Sequence, residues 1–186
     1  MNRNMTQWLS AIIASQERRA MPISTYPGME LIQKPAIEMF TSGRVQYECV
    51  AALCQKYPSI AALTTMDLSV EAEAFGSPIQ LSESEAPNVT GAIVSDLESV
   101  EALKVPPVGT GRTGEYLRAA SLLVVNVTDR PVFGGVIGPF SLAGRLLDMT
   151  QIMLSLRRDP DLAHAVLEKC TEFLMGYVRA FKEAGA

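Results

Sequence analysis

Two short apolar runs, far apart in the chain, most constrain what this sequence can fold into. Residues 60–64 read IAALT and residues 131–137 read PVFGGVI, and neither run alternates apolar with polar side chains. A strand that is buried on both faces, as in a parallel sheet, has this pattern. Residues 21–26 (MPISTY) predict a third strand, and helical segments separate the three. Strands that alternate with helices indicate an α/β protein with one parallel sheet.

Helical patterns fill most of the remaining chain. We expect helices at residues 6–16, 29–40, 45–56, 96–103, 115–125, 141–156 and 160–184. The last helix has a stripe that fits burial against a sheet, formed by Leu162, Val166, Phe173, Tyr177 and Phe181. Residues 78–94 interrupt the alternation, and their short β-like pieces predict an inserted hairpin.

Composition and charge exclude several classes of function. The 186 residues are 48% hydrophobic and 19% charged, which is typical of a globular domain. The net charge of -4 provides no basic field for nucleic acid. No apolar run reaches the roughly 18 residues of a membrane span, and the apolar patch at residues 8–14 is not followed by a signal-peptide cleavage site. We therefore expect a cytoplasmic protein that binds neither nucleic acid nor membrane.

The residues most suited to metal binding are scattered. Cys49 and Cys54 lie on one predicted helix but point in different directions, and Cys170 is far away in the sequence. The single histidine, His164, lies among apolar residues of a late helix. Because a zinc site needs converging ligands, we expect structural roles for all four residues and no zinc site in this segment.

Two further motifs are weak. Residues 109–114 (GTGRTG) match the dinucleotide-binding pattern G-x-G-x-x-G, but no convincing strand precedes them, so a flexible loop is the better interpretation. Glu71 and Glu73 are two residues apart and point about 200° apart on a helix. They cannot easily share one substrate, and a solvated helix face explains them equally well.

Two longer segments carry a family resemblance. Residues 64–76 read TTMDLSVEAEAFG, and residues 134–147 read GGVIGPFSLAGRLL. Together they resemble the uroporphyrinogen decarboxylase superfamily, and within it most of all the corrinoid-dependent branch, the methylcobamide:coenzyme M methyltransferases. The resemblance begins near residue 22 and covers only the N-terminal part of that family's barrel.

The resemblance implies a partial (β/α)8 TIM barrel. A complete barrel needs about 250 residues, and three parallel strands are too few to close one. The sequence ends in a helix terminus with a glycine, where the family continues with an apolar strand. We therefore expect residues 1–186 to form the N-terminal half of such a barrel, with a first helix at about 6–16 and βα units over about 20–186.

The resemblance also implies a binding site. Asp67 follows the strand at 60–64, at the end where parallel α/β folds bind ligands. Its residue type alone slightly favours a helix cap, but the matching aspartate of the decarboxylases contacts the pyrrole nitrogens of the substrate. In that family the 138–141 loop, whose serine can cap the next helix, borders the pocket. The implied substrate or cofactor site consists of Tyr26, Met29, Met66, Asp67, Gly138, Pro139, Phe140 and Ser141, with the catalytic residues unassigned.

One segment of this chain departs from the pattern of the decarboxylases and helps to choose between the branches of the superfamily. The decarboxylases have an arginine-rich segment after the first strand that holds the carboxylates of the substrate. The corresponding residues 24–31 (STYPGMEL) contain no arginine, so a polycarboxylate would lack its bidentate partners. This favours the methyltransferase branch over porphyrinogen decarboxylation.

The leading hypothesis is a corrinoid-dependent methyltransferase that is incomplete in this chain. In that branch a zinc ion, held by ligands of the later half, activates a thiol to accept methyl from methylcobamide. Zinc is therefore expected only in a full-length family member, with the corrinoid as a substrate or as the cofactor of a partner protein. The alternatives are a uroporphyrinogen decarboxylase-like carboxy-lyase and a non-catalytic half barrel that binds a tetrapyrrole or a partner. An open half barrel also predicts self-association or pairing with a C-terminal half.

Overall fold

Helices predominate in the computed structural model, which describes residues 4–24 and 26–186. The helices in this part of the chain are α1 (Met5–Ala14), α2 (Tyr26–Ile32), α3 (Ala36–Thr41), α4 (Gly43–Lys56), α5 (Val70–Ala74), α6 (Leu97–Ala102), α7 (Thr113–Asn126), α8 (Pro139–Leu147), α9 (Met149–Arg158) and α10 (Pro160–Glu183). The strands are β1 (Ala62–Leu63), β2 (Ile79–Gln80), β3 (Asn88–Val89) and β4 (Val132–Phe133). None of these helices combines the length and the apolar character needed to cross a membrane.

Strands β1 and β4 form a parallel pair in which Ala62 lies opposite Val132. Helices α4 and α7 cover one face of this pair, where Val50 and Leu123 pack with the two strand residues in a buried cluster. The other face of the pair is half-buried as well, at Leu63 and Phe133, and burial on both faces explains why the apolar runs do not alternate. Both runs are confirmed as parallel strands of one sheet, and the α/β class is confirmed with them.

The third predicted strand, at residues 21–26, is wrong. Its described residues lie in no strand up to Ser24, and Tyr26 begins α2, while Thr25 lies outside the described residues. Pro27 directly follows this segment and lies in the first turn of α2, where its fixed φ suits a helix and its missing N–H costs no hydrogen bond.

The interruption between β1 and β4 is a hairpin, as the sequence predicted. Strands β2 and β3 pair antiparallel, with Ile79 opposite Val89 and Gln80 opposite Asn88. Helix α6 follows, and Asp96 closes a capping box with Ser99 at its start. This excursion lies in a sheet of its own, separate from the parallel pair.

The main hydrophobic core is built around α10. Its predicted stripe is buried, and the aromatic rings form a chain of contacts in which Phe173 meets Phe75 at 5.3 Å and Tyr177 meets Phe181 at 4.8 Å. The stripe packs mainly against α6, α8 and α9 rather than against a sheet. At the C-terminal end of α10, the Phe181 ring lies close to Gly134, the residue after β4. A Cβ atom on Gly134 would lie 2.6 Å from this ring.

Helix α1 lies on the face of the parallel pair that α4 and α7 leave open. Successive side chains of a strand point to opposite faces, so Phe133 points away from the cluster that contains Val132. The Trp8 ring packs against Phe133 there, with 5.8 Å between ring centroids. Helix α1 buries none of its own residues completely.

Replacing Phe173 by alanine tests the role of α10 in the core. Phe173 is 1% exposed, and its loss should lower the free energy of unfolding by about 3–5 kcal/mol, because a large cavity is left behind. Met175 on the same helix is 51% exposed, and Met175→Ala should change stability by less than about 0.5 kcal/mol. Urea unfolding followed by circular dichroism measures both, and equal effects would contradict this packing.

Candidate functional site

The turn after β1 places a buried carboxylate at the centre of the candidate site. The Asp67 side chain has no solvent exposure. Its Oδ1 accepts hydrogen bonds from the N (2.8 Å) and Oγ (2.6 Å) of Ser69, and its Oδ2 accepts from Arg112 and from the Tyr116 hydroxyl (3.0 Å). These four bonds replace the water that a carboxylate loses on burial. Asp67 thus fixes the turn before α5, although the N-cap of that helix is Ser69.

Arg112, the residue before α7, joins three parts of the chain. Its Nε donates to Glu73 Oε2 (2.6 Å), and its Nη1 donates to Asp67 and to the Phe40 carbonyl (3.3 Å). Its Nη2 donates to Ser69 Oγ (3.0 Å). Burial acts to lower the pKa of Arg112, but its surroundings, with Asp67 foremost, outweigh burial, so the pKa is raised. One buried cation is therefore shared by two carboxylates.

Tyr116 completes this cluster from α7. The residue is 1% exposed. Burial raises the pKa of its phenol well above the ordinary value, and the charge of Asp67 raises it further. The phenol therefore keeps its proton at neutral pH and acts as a hydrogen-bond donor to the carboxylate. We call Asp67, Ser69, Glu73, Arg112 and Tyr116 the Arg112 cluster.

Helix α5 directs its two glutamates to different partners, as their spacing predicted. Glu73 accepts from Arg112, whereas Glu71 Oε1 accepts a hydrogen bond from the Ile137 N–H (3.0 Å). The alternative of a solvated face is wrong for Glu71, which is 1% exposed. Its helix packs against both α7 and α8, so these neighbours remove the side chain from water.

Glu71 is the most perturbed carboxyl group of the site. Burial raises its pKa to about 7, and the hydrogen bond from Ile137 offsets only part of that effect. Its Oε2 has no hydrogen-bond partner among the described residues, and the same is true of the Tyr177 hydroxyl on α10. Burial also raises the pKa of Tyr177, and the charge of Glu71 adds to that shift. Two buried polar atoms without partners therefore lie within electrostatic reach of each other.

Two of the predicted site residues, Tyr26 and Met29, lie together on α2 beside the Arg112 cluster. Met29 is buried with Phe40, and the Tyr26 ring meets the Phe40 ring edge-on at 6.4 Å. The Phe40 carbonyl accepts from Arg112, which links α2 and α3 to the cluster. Burial raises the pKa of Tyr26, and the charges of Glu85 and Asp67 raise it further. Tyr26 therefore lies within electrostatic reach of Asp67.

Met66 lies against Gly135, two residues after the end of β4. A Cβ atom on Gly135 would lie 2.5 Å from Met66 Sδ, so the methionine side chain in this position lies directly against the glycine backbone and would have to move if a larger residue replaced Gly135. The Gly135 N–H donates to Thr64 Oγ1 (2.9 Å), which holds the ends of the two strands together. Met66 is half-buried at the same end of β1 as Asp67.

The other four predicted site residues form the loop and first turn of α8. Gly138, Pro139, Phe140 and Ser141 are all exposed. The expected cap at Ser141 is wrong, because α8 begins at Pro139 and its N-cap is Gly138, which leaves Ser141 inside the first turn. The contact that ties this loop to the Asp67 side of the site is the bond from Ile137 to Glu71.

Sequence reasoning missed Arg112, although its motif was noticed. The GTGRTG segment was interpreted as a flexible loop, but hydrogen bonds hold it in place: Gly109 N–H donates to Thr113 Oγ1 (3.1 Å), and Thr113 Oγ1 donates to the Thr110 carbonyl (2.6 Å). The available signal was an arginine between glycines, immediately before a helix. An arginine that is 8% exposed requires acidic partners, and the nearby segment at 64–76 supplies them.

The donors present do not fit a zinc ion. Among residues 4–24 and 26–186, no three His, Cys, Asp or Glu side chains are grouped closely enough to hold a metal. Burial raises the pKa of Cys49 to about 11 and that of Cys170 to about 12, which disfavours the thiolate that zinc requires. His164 is exposed on α10 rather than part of the core.

Replacing Arg112 by methionine tests the cluster. The change leaves the carboxylate of Asp67 buried without its cation, and such losses cost about 3–5 kcal/mol of unfolding free energy. Arg118 on the same helix is a matched control, because its side chain is 60% exposed and 3.7 Å from Glu115. Arg118→Met should cost less than about 1 kcal/mol.

The double variant Arg112→Met/Asp67→Asn makes this test more specific. Neutralising Asp67 removes the unpaired charge, so urea unfolding should show that the double variant is more stable than Arg112→Met alone. If the second substitution instead adds its own full cost, the two residues do not form the ion pair described here.

Sequence comparison identifies a family. The profile of the family described as Uroporphyrinogen decarboxylase (URO-D) matches residues 16–186. The methylcobamide:CoM methyltransferase MtbA of Methanosarcina mazei is 29% identical over 181 residues, which cover 90% of this chain and 53% of that protein. The corresponding MtbA of Methanosarcina acetivorans is 26% identical over the same shares. The chain therefore spans about half the length of these curated relatives.

Other relatives lie in the decarboxylase branch and among solved structures. The uroporphyrinogen decarboxylase of Mycobacterium ulcerans is 29% identical over 140 residues, which cover 70% of this chain and 39% of that protein. A solved methyltransferase from Methanosarcina mazei has the same fold, with a TM-score of 0.85 at 24% identity over 96% of this chain and 56% of its own length. On the evidence of the profile match over residues 16–186, the chain belongs to the uroporphyrinogen decarboxylase (URO-D) family.

Proposed function

We propose that this chain forms part of a corrinoid-dependent methyltransferase. The observation that carries the proposal is the similarity to two methylcobamide:CoM methyltransferases, which extends over 90% of the chain. The matches to decarboxylases reach 70% of the chain. The methyltransferase branch therefore explains more of this sequence than the decarboxylase branch does.

The architecture that goes with this proposal is half of a (β/α)8 barrel. The parallel pair β1–β4, with α4 and α7 on its outer face, has the arrangement of neighbouring βα units in such a barrel. The chain covers 56% of the solved methyltransferase that shares its fold. In a barrel, the carboxyl ends of the strands form the ligand site, and both Asp67 and the 138–141 loop follow such ends.

The proposed ligand is a corrinoid, and residues of this chain bind it in two ways. Tyr26, Met29 and Met66 supply apolar and aromatic surface for a large ring system. The exposed 138–141 loop supplies backbone groups at the start of α8, where polar substituents of the ring can be held. Asp67 already has four internal hydrogen bonds, so we assign it the role of holding Arg112 and Tyr116 in place around the site.

The family's metal chemistry is not assigned to this chain. When zinc is bound in a full-length family member, it supplies an activated thiolate that accepts the methyl group. The cysteines and the histidine of the described residues do not fit that ion, so we assign them no role in that chemistry. The contribution proposed here is binding and positioning of the corrinoid.

The existing ion pairs of Arg112 weaken the decarboxylase alternative. Residues 24–31 contain no arginine, and a polycarboxylate substrate would need cations elsewhere in the site. Arg112 is buried, but Asp67 and Glu73 already occupy its guanidinium. It is therefore not available to bind carboxylates of a substrate. A non-catalytic half barrel that binds a tetrapyrrole or a partner remains the third alternative.

The exposed apolar surface favours a partner for this chain. Within the described residues, β1 and β4 pair only with each other, which leaves strand edges open. Large apolar side chains are exposed at several places in the chain, such as Val125 (72%), Ile23 (69%) and Met153 (61%). Surface of this kind is usually covered by association, and we assign its partner as a second copy or a complementary half of the barrel.

Self-association is therefore the expected behaviour of the isolated chain. Light scattering coupled to size exclusion should show a mass above that of one 20.1 kDa chain at micromolar concentration, and the mass should rise with concentration. A compact monomer of 20.1 kDa across the concentration range would contradict the open half barrel.

Corrinoid binding is the direct test of the proposed function. Equilibrium dialysis with methylcobalamin, followed by the absorbance of the corrinoid, should show saturable binding by the 186-residue chain. Asp67→Ala should weaken binding by about tenfold or more, which corresponds to about 1.4 kcal/mol, because it releases Arg112, Tyr116 and Ser69 together. Glu73→Ala is the matched control on the same segment, and it should weaken binding less because Glu73 contacts only Arg112 of the cluster.

The competing functions give different results in the same dialysis experiment. Saturable binding of uroporphyrinogen without binding of methylcobalamin would replace the methyltransferase proposal by the decarboxylase-like alternative. Failure to bind either compound would leave the partner-binding half barrel. Equal effects of Asp67→Ala and Glu73→Ala would contradict the role assigned to Asp67.

A further inference from the structure

Glu71 is a buried titratable group that the proposed function does not use. It is held away from water between α5, α7 and α8, and its Oε1 accepts from the Ile137 N–H (3.0 Å). Ile137 is the residue immediately before the 138–141 loop. This hydrogen bond therefore joins the segment that follows β1 to the backbone at the root of the 138–141 loop, beyond the bond between Gly135 and Thr64 that holds the strand ends together.

Among residues 4–24 and 26–186, the carboxyl of Glu71 has no direct cationic partner. Arg112 affects it through space and is bonded instead to Asp67 and Glu73. Its Oε2 has no partner among the described residues. The Glu71 side chain is thus tied to the segment before α8 by the hydrogen bond that it accepts from the Ile137 N–H.

The groups that face Glu71 from the surrounding elements define its electrostatic environment. Asp67, from the turn after β1, raises its pKa, and Arg112, from the residue before α7, lowers it. Helix α10 contributes the neutral Tyr177, and the charged residue of α8 is Arg145, which lies in the last turn of that helix. Removal from water dominates all of these effects and raises the pKa of Glu71 to about 7.

We propose that Glu71 is a positioning residue whose carboxyl clamps the Ile137 backbone and thereby sets the geometry of the 138–141 loop. An ionised carboxylate accepts a stronger hydrogen bond from a backbone N–H than a neutral carboxyl does. The clamp is therefore tighter when Glu71 is ionised and looser when it holds a proton. That this loop faces a corrinoid rests on the proposed function, whereas the clamp itself rests on contacts within the chain.

The sign of the pH effect follows from these two states. With a pKa of about 7, Glu71 changes charge near neutral pH, and the Ile137 amide should become better protected from hydrogen exchange as the pH rises through that value. The comparison uses protection factors, which are corrected for the base catalysis of exchange itself. Glu71→Gln keeps an oxygen acceptor of the same size and cannot titrate, so its protection factor should not change with pH.

The experiment measures amide hydrogen exchange of Ile137 by NMR in the full chain between about pH 5.5 and pH 8.5, a window centred on the pKa of about 7. Wild type should gain about tenfold in protection across this range, the order expected when one neutral hydrogen bond becomes charge-assisted. Glu71→Ala should be the least protected at high pH. Glu172 is exposed on α10, and Glu172→Gln should reproduce the wild-type profile as a control for a general loss of negative charge.

Two outcomes would overturn the clamp. One is a protection factor at Ile137 that does not vary with pH in wild type, and the other is the same variation in Glu71→Gln. If Glu71→Ala does not fold, the comparison of wild type with the isosteric Glu71→Gln still decides the question.

A parallel titration with methylcobalamin separates this inference from the proposed function. If methylcobalamin binds, its affinity should rise with pH through the same range in wild type and remain constant in Glu71→Gln. If methylcobalamin does not bind but the protection factor of the Ile137 amide still changes with pH, the corrinoid assignment fails and the clamp stands. If it binds with an affinity that depends on pH equally in both proteins, the clamp does not control the loop.

Discussion

The buried ion pair between Asp67 and Arg112 is the interaction on which the candidate site depends. A carboxylate without solvent exposure is tolerated only if its charge and its lone pairs are matched. Arg112 provides the charge, and Ser69 and Tyr116 provide the remaining donors. Because these partners come from α7 and from the turn after β1, the ends of both elements are fixed relative to each other, and Phe40 brings α3 to the same point.

The sequence predicted the strands because burial on both faces leaves a direct trace in the residue pattern. The runs at 60–64 and 131–137 do not alternate apolar with polar side chains, and the structure pairs them. The segment at 21–26 failed because its pattern was short and because Pro27 is compatible with both a turn and the first turn of a helix. Local signals cannot separate these two uses of proline. In the folded chain the next residue, Gly28, lies tightly against Cys49 on α4, a contact that the local sequence does not reveal.

The polar part of the site could be predicted only in part, and the reason is distance along the chain. Asp67 was predicted because it lies just past a strand and because it matches an aspartate of the family that the sequence resembles. Its partner Arg112 is 45 residues away, and Glu71 meets Ile137 across 66 residues. A single sequence, taken without its relatives, contains no record of which residues meet at such separations. Glu71 and Glu73 therefore looked like a solvated pair, although folding buries one and ties the other to Arg112.

Helix α5 has five residues, too few to be stable as a helix on its own, so its position depends on tertiary contacts. Val70, Ala72 and Ala74 lie in the main core. Glu73 bonds to Arg112 and Glu71 to Ile137. The burial of Glu71 makes the stability of the fold depend on pH. Its raised pKa means that the folded chain holds this proton to a higher pH than the unfolded chain does. The associated stability is present at acidic pH and is lost as the pH rises from the ordinary carboxyl range to about 7. Ionisation thus strengthens the bond to Ile137 while it lowers the stability of the whole fold, which couples the order of the 138–141 loop to the burial of a single carboxyl group.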